Sequence, residues 1–205
     1  MTRFYFIRHG ETQWNVEKRY QGHTDIPLSE TGLKQGELLG KRFKNIPVDY
    51  VYASPLIRAV ETAKFVAEAT NNELNTIDSF KEINFGEWEG HTVSELKQKY
   101  KDSYINFLKE PFKYGFPGEG SFDNVAKRVM EGIEQLLKAH EGKNIVVVSH
   151  GGILKIAIMY LMEMDGSFYR KLWLDNTSIT TIDFRNNEKF LITYNDKAHL
   201  ENTDF

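Results

Sequence analysis

The sequence contains no cysteine and only 5 prolines among its 205 residues. The missing cysteine excludes disulfide bonds, thiolate zinc sites, iron–sulfur clusters and a cysteine nucleophile. An excess of basic charge is missing too, because 26 basic residues stand against 29 acidic ones. Neutralising a nucleic-acid backbone takes a basic face, so we expect no nucleic-acid partner.

Long hydrophobic runs are also missing. No stretch approaches the roughly 20 apolar residues that a membrane-spanning helix needs, so we expect no membrane partner. The apolar start, Phe4 to Ile7, is too short for a signal peptide and is followed by Arg8. We therefore expect a cytoplasmic location. The length and the 40% hydrophobic content fit one globular domain, which we place at residues 1–205.

Strand and helix patterns alternate along the chain. The predicted strands are Phe4–Ile7, Tyr50–Ala53 and Ile145–Val148, followed by a hairpin of Ser178–Phe184 and Lys189–Tyr194 joined through Asn186-Asn187. One helix is predicted from Ser29 to about Phe43 and another from Ser121 to about His140. A third starts after the N-cap Ser54, with Pro55 as its first helical residue. A fourth follows His150-Gly151-Gly152 and runs through Met159. The alternation predicts a three-layer α/β/α fold, whose mostly parallel sheet has antiparallel edge strands.

The stretch from about 85 to 120 departs from this alternation and is rich in aromatic residues. They are Trp88, Tyr100, Tyr104, Phe107, Phe112, Tyr114 and Phe116. We expect short helices packed over one end of the sheet, forming a helical and aromatic insertion that acts as a lid over a substrate. The alternative is that these helices only pack on the sheet edge.

Cationic side chains follow three of the predicted strands at the point where each strand ends. Arg8-His9-Gly10 ends the first strand, Arg58 lies in the first turn after the second, and His150-Gly151-Gly152 follows the third. In an open parallel sheet, ligands bind outside the carboxyl ends of the strands, where helix N-termini favour anions. The N–H donors of the planar arginine guanidinium match the arrangement of phosphate oxygens, so the pattern predicts a pocket for a phosphoryl group.

A metal site is the chemical alternative at this edge. His9, Glu11 and His150, with one more carboxylate, could form a His/carboxylate cluster. Two arginines in the same pocket would repel a divalent cation, which favours the phosphoryl interpretation.

Five motifs in order extend along nearly the whole chain. They are Phe6–Thr12, Gln21–Gly32, Ser54–Ala63, Glu82–Gly90 and Val148–Gly152, followed by Asn176–Ile179. Together they resemble the histidine phosphatase superfamily in its phosphoglycerate mutase-like branch, and look most like α-ribazole phosphatases and broad-specificity phosphatases. One segment departs from the family pattern. Where the family often has Pro-Gly-Gly-Glu-Ser, this chain has Pro117-Gly118-Glu119-Gly120-Ser121, which moves a carboxylate by one residue.

The resemblance implies a phosphomonoester hydrolase that works through a phosphohistidine. His9 would be the nucleophile, and Glu82 would be the general acid and then the general base. Arg8, Arg58 and His150 would hold the phosphoryl oxygens, on which charge is spread in the transition state. The other implied substrate-binding residues are Asn15, Gln21, Gly22, Thr24 and Gly151. Neither a metal nor an organic cofactor is implied.

The resemblance implies that phosphoglycerate mutases share the same pocket, so mutase activity is the main alternative function. The mutases have a longer insertion after the acid loop than the segment from Phe85 to Gly120 provides, so we favour hydrolysis. A metal-dependent hydrolase or a non-catalytic phosphate-binding module ranks lower, the latter because His9 and Glu82 are both present. We expect a small phosphorylated metabolite as substrate and a monomer or homodimer.

Overall fold

The computed structural model describes residues 1–186 and 188–201. In this part of the chain, six strands form one sheet with the order β3-β2-β4-β1-β5-β6. The strands are Thr2–Arg8 (β1), Tyr50–Ala53 (β2), Leu74–Thr76 (β3), Asn144–Ser149 (β4), Ile179–Arg185 (β5) and Glu188–Asp196 (β6). The short, mostly polar β3 is the one strand of these that the sequence pattern did not predict.

The first four strands are parallel, whereas β5 runs antiparallel to β1 and β6 antiparallel to β5. The predicted α/β fold, with a mostly parallel sheet and antiparallel edge strands, is confirmed. So is the predicted pair of strands at the end of the chain, although Asn187 of its predicted turn lies outside the described residues.

Helices cover both faces of the sheet. Those of the described residues are Gln13–Val16 (α1), Glu30–Phe43 (α2), Ile57–Thr70 (α3), Val93–Lys99 (α4), Lys101–Lys109 (α5), Phe122–Ala139 (α6) and Gly151–Leu161 (α7). Side chains alternate along β1, so Phe4 and Phe6 join a core with α6 and α7, whereas Tyr5 and Ile7 join the core under α2 and α3. None of the helices in residues 1–186 and 188–201 is long and apolar enough to cross a membrane.

The start of α3 differs from the predicted one. The helix begins at Ile57 with Leu56 as N-cap, so the predicted capping role of Ser54 is wrong. The Ser54 hydroxyl is instead within 2.7 Å of His150 Nε2 and accepts a hydrogen bond from the Leu56 amide at 3.3 Å. This long-range contact, which the local sequence cannot show, takes the side chain away from the helix.

Short helices occupy much of the aromatic segment, as expected. Trp88, Tyr104, Phe107 and Phe116 are buried in the core on the α6 side of the sheet, where the Phe107 and Phe122 ring centroids lie 5.8 Å apart. These four rings thus contribute to packing, and the lid-like role of the segment stays a prediction.

Candidate active site

Three parallel strands end together at one edge of the sheet. Arg8, the last residue of β1, is level with Ser149 of β4, and the amide of Ser54 after β2 donates to Val148 O at 2.9 Å. A cavity of about 370 Å³ opens at this edge. It is lined by eight of the predicted site residues: Arg8, His9, Asn15, Gln21, Gly22, Arg58, Glu82 and Gly151. Thr24 and His150, the other two predicted site residues, do not line the cavity.

His9 lies almost completely buried at the cavity, with 2% of the residue exposed. Its Nδ1 is 2.7 Å from Gly10 O. Because a carbonyl oxygen only accepts, Nδ1 carries the ring proton, and Nε2 keeps its lone pair. Burial, together with the charges of Arg58 and Arg8, holds the pKa of His9 well below its usual range. The ring is therefore a neutral imidazole with one nucleophilic nitrogen.

Backbone contacts hold the loop around His9 in place. The His9 amide donates to Ser149 O, the Gly10 amide donates to Thr62 Oγ1, and Asn176 Nδ2 donates to His9 O, each at 2.9 Å. These bonds connect the end of β1 to β4, to α3 and to the segment before β5. The nucleophilic nitrogen is thus oriented by three distant parts of the chain.

Arg8 and Arg58 bring two guanidinium groups to the same cavity, with Arg58 fully buried and Arg8 partly buried. Arg58 donates from Nη1 to Thr24 O at 3.0 Å and from Nη2 to Gly22 O at 2.8 Å. Arg8 donates from Nη1 to Leu174 O at 2.7 Å, while its buried Nε has no partner among the described residues. Burial lowers the pKa of Arg58 to about 10 and also lowers that of Arg8. Two arginines that bond only neutral groups here favour an anion as ligand.

His150 is fully buried and supports Arg58. Arg58 Nε donates to His150 Nδ1 at 3.2 Å, so the ring proton is on Nε2, which donates to Ser54 Oγ at 2.7 Å. Burial and the nearby Arg58 charge keep the pKa of His150 well below its usual range. Both ring nitrogens are already bonded, so the predicted direct contact with a phosphoryl oxygen requires that one of these bonds be exchanged.

Glu82 presents its carboxylate at the N-terminus of α7. It accepts hydrogen bonds from the amides of Ile83 at 2.9 Å, Ile153 at 3.2 Å and Gly152 at 3.3 Å. A Cβ atom at Gly152 would lie 2.7 Å from the Glu82 carboxylate, so a side chain there would displace the carboxylate. The carboxylate is thus held rigidly at the same cavity as His9.

Asn15 and Gln21 add polar groups to the wall. Asn15 Oδ1 accepts from the Thr12 amide at 3.0 Å and from Asn176 Nδ2 at 3.3 Å, so its own amide hydrogens stay available as donors. Gln21 is buried, and its Oε1 has no hydrogen-bond partner in the described chain. Thr24 faces elsewhere, because its hydroxyl donates to Glu89 at 2.7 Å.

The alternative metal cluster is not assembled. Glu11 accepts a hydrogen bond from Ser29 Oγ at 2.8 Å, and His150 has both nitrogens bonded. Within residues 1–186 and 188–201, no three His, Asp or Glu side chains form a group that could hold a metal ion. The arrangement present can instead bind a phosphoryl group, attack it with an imidazole and exchange a proton through a carboxylate.

The profile of the histidine phosphatase superfamily (branch 1) matches residues 4–197. This chain belongs to that superfamily. Among its relatives, phosphoserine phosphatase 1 of Hydrogenobacter thermophilus is 34% identical over 200 residues, covering 98% of this chain and 95% of the relative.

Solved structures of the superfamily have the same fold. A mutant phosphoserine phosphatase of Entamoeba histolytica in complex with phosphoserine is 38% identical, with a TM-score of 0.87 over 98% of this chain and 100% of that one. The phosphatase from the same organism with 3-phosphoglyceric acid is 39% identical, with a TM-score of 0.89 and the same coverage. The α-ribazole phosphatase of Shigella flexneri is 30% identical, with a TM-score of 0.86 over 95% of this chain and 96% of that one.

The predicted class of function is confirmed. The chain is a histidine-type phosphatase that hydrolyses phosphomonoesters through a phosphohistidine, and the alternative of a phosphoglycerate mutase has less support. The resemblance to α-ribazole phosphatases is likewise confirmed among the solved structures.

Sequence reasoning missed Glu89, which organises the histidine phosphatase site from behind. Its carboxylate accepts from the amides of His23, Thr24 and Phe85 at 3.0, 2.9 and 3.1 Å. It thereby joins the loop that holds Arg58 to the loop that carries Glu82. The signal was present, since Glu89 belongs to the motif Glu82–Gly90, but a surface carboxylate has the same local pattern.

The segment that departs from the family pattern supports the acid loop. Glu119 pairs with Arg128 of α6, with Nε 2.7 Å from Oε1 and Nη2 2.9 Å from Oε2. Arg128 also donates to Lys81 O at 2.9 Å and to Glu82 O at 3.4 Å. The shifted carboxylate therefore orients an arginine that holds the backbone of Glu82.

The remaining lining residues were not predicted either. They are Lys18, Arg19, Tyr20, Phe85, Gly152, Lys155, Tyr169, Trp173 and Leu174. Phe85 and Gly152 belong to the motifs and most of the others lie within a few residues of one, but the local pattern does not show which of these side chains face the cavity.

Proposed function

We propose that His9 accepts the phosphoryl group of a small phosphomonoester. Glu82 acts as general acid in the first half-reaction and as general base in the second. The observation that carries this proposal is the neutral His9 ring, whose free Nε2 lies at a cavity with two arginines that bond only neutral groups. An imidazole in this state is a nucleophile without further deprotonation.

In the first step, Nε2 of His9 attacks phosphorus and the bond from phosphorus to the ester oxygen breaks. Protonated Glu82 gives its proton to the leaving alcohol, which departs neutral. Arg8 and Arg58 stabilise the charge on the transferring oxygens, and the amide of Asn15 adds a donor. Gln21, Gly22 and Gly151 line the substrate side, and His150 positions Arg58.

In the second step, the Glu82 carboxylate takes a proton from water as the water oxygen attacks phosphorus. The phosphorus–nitrogen bond breaks, inorganic phosphate forms, and His9 and Glu82 return to their starting states. The three amides that hold the Glu82 carboxylate keep it at one position for both proton transfers.

The substrate is a small phosphorylated metabolite, and phosphoserine is the first compound to test. The phosphoserine and 3-phosphoglyceric acid complexes of the related Entamoeba enzyme support this choice. A cytoplasmic location and the choice between monomer and homodimer remain predictions from the sequence.

We keep residues 1–205 as a single histidine phosphatase domain with a lid-like insertion at about 85–120. The family match over residues 4–197 supports one domain. Phe85, which lines the cavity and whose ring lies 4.8 Å from that of Tyr20, supports contact between the start of the insertion and a substrate.

To test the proposed nucleophile, the enzyme is mixed with ³²P-labelled phosphoserine and the reaction is stopped rapidly with alkali. We expect an acid-labile label on His9 in the wild type and in the control His91→Ala, and none in His9→Ala. Turnover is expected to be unaffected by a chelator. Full activity of His9→Ala, or a label on another residue, would contradict the mechanism.

A further inference from the structure

Lys155 of α7 lines the mouth of the catalytic cavity and has no role in the mechanism above. Its ammonium nitrogen lies 5.4 Å from the ring centroid of Tyr169 and 5.7 Å from that of Trp173. Both rings line the same cavity, and Trp173 is 65% exposed. Two aromatic faces thus hold a lysine at the place where the alcohol part of a substrate would leave the phosphoryl site.

No ion pair and no hydrogen bond of Lys155 is found among the described residues. The charges that act on it are those of Arg8 and of Glu82, whose carboxylate already accepts three backbone amides. Burial, reinforced by the Arg8 charge, lowers the pKa of Lys155. A bound anion beside the ammonium would favour the charged form of Lys155 and so oppose the effect of burial.

The other two cationic side chains at the mouth of the cavity, Arg19 and Lys18, are already paired or hydrated. Arg19 is committed to neighbours, because it pairs with Glu17 at 2.6 Å and Glu95 at 3.1 Å and donates to Gly90 O at 2.7 Å. Lys18 is exposed, so its ammonium is hydrated. Lys155 alone among these three combines partial burial with a free ammonium.

Lys155 follows Gly151 by about one turn of α7, so its side chain starts near the proposed phosphoryl site. Gly151 and Lys155 are four residues apart on α7 and both line the cavity, which places their Cα atoms about 6 Å apart along the helix axis. A two- or three-carbon chain covers this separation. A single ammonium matches a monoanion, whereas a second phosphate is typically bound by several donors, often an arginine fork.

We propose that Lys155, held on Tyr169 and Trp173, binds a carboxylate on the alcohol part of the substrate. Lys155 is then a specificity residue that selects phosphomonoesters of short hydroxy acids over those of neutral or cationic alcohols. This inference rests on the proposed function of the same cavity, because the phosphoryl group must occupy the site of His9 and the arginines.

The test uses substrate pairs that differ in one carboxylate: phosphoserine with phosphoethanolamine, and 3-phosphoglycerate with glycerol 3-phosphate. In Lys155→Met we expect kcat/KM to fall about 10- to 100-fold for the two acids, mainly through KM, because a charged hydrogen bond is lost. For the two compounds without a carboxylate we expect a change of less than about twofold. Lys155→Arg is expected to recover part of the loss.

A matched control is Lys171→Met, which removes a lysine that also lies over an aromatic ring, at 5.0 Å from the Phe168 centroid, but does not line the cavity. It should leave all four rates unchanged. An equal loss for both members of each pair in Lys155→Met would make Lys155 a phosphate ligand and overturn the proposal. A selective loss in Lys18→Met instead would overturn it as well.

Measurements of ligand binding test the carboxylate site of Lys155 independently of the proposed catalytic mechanism. In His9→Ala, calorimetry should show phosphoserine binding more tightly than phosphoethanolamine, and the difference should vanish in the double variant with Lys155→Met. If the difference is present although the wild type hydrolyses none of the four compounds, only the catalytic assignment fails. If the two ligands bind equally, the carboxylate site fails whatever the activity.

Discussion

At the scale of single residues, the site depends on an imidazole that stays neutral. Nδ1 of His9 is committed to Gly10 O at 2.7 Å, so only Nε2 can attack. Burial and the two arginines keep the pKa of His9 well below its usual range. The arginines that we propose to bind the phosphoryl group therefore also keep the proposed nucleophile unprotonated.

Replacing Arg58 tests this coupling. In Arg58→Met we expect the pKa of His9 to rise, because a nearby positive charge that opposes protonation is gone. Nitrogen-15 NMR of the ring should show the wild-type His9 neutral as the pH falls from 7.5 to 6, and the variant protonating at higher pH. Arg8→Met provides a second measurement if Arg58→Met does not fold. An unchanged His9 titration in both variants would contradict the role of the arginine charges.

At the scale of elements, α6 contributes to an active site that it does not line. Arg128 of α6 holds the backbone carbonyls of Lys81 and Glu82 and is itself held by Glu119. The acid loop is thus attached to a helix of 18 residues. We infer that Arg128 is a positioning residue for Glu82.

The variant Arg128→Met should lower kcat about 10- to 100-fold with little change in KM, because a small displacement of a proton donor costs this much. Arg170→Met is the matched control, since Arg170 also donates to a backbone carbonyl, Leu108 O at 2.8 Å, away from the cavity. Rates and thermal midpoints are measured together. A fall in the thermal midpoint with kcat unchanged would show that Arg128 serves stability alone.

At the scale of the whole molecule, folding buries two histidines, His9 and His150, and partly buries a third, His199, in their neutral form. The pKa values of His9 and His150 lie well below the usual range, and burial with the charge of Arg42 lowers that of His199 to about 4. In the unfolded chain these rings titrate near pH 6.5. Below that pH the unfolded state binds more protons than the folded state, so stability falls as the pH falls.

We therefore expect the free energy of unfolding to decrease from pH 6.5 to pH 5. Each fully buried histidine contributes at most about 1.4 kcal/mol per pH unit. Urea unfolding at several pH values measures the slope, which should be smaller in His199→Gln than in the wild type. A free energy of unfolding that does not change over this window would contradict the buried neutral state.

Local patterns in the sequence were enough to predict the α/β class, most strand and helix positions and the cationic residues at the strand ends. These depend on local patterns: a buried parallel strand is a short apolar run, and the residue after it lies at the ligand-binding edge. The local pattern misplaced the start of α3, because the Ser54 hydroxyl bonds His150 and the Leu56 amide and does not cap the helix. It missed β3, whose Leu74–Thr76 has little apolar pattern.

How those residues work together depends on contacts that form only in the folded chain. The tautomer of His9 follows from its bond to Gly10, but its neutral state needs burial and Arg58, and the position of Glu82 needs the amides of α7. The place of Lys155 between Tyr169 and Trp173 depends likewise on the packing of α7. The physical reason is that pKa values and unpaired charges are set by neighbours in space, which local sequence patterns do not contain.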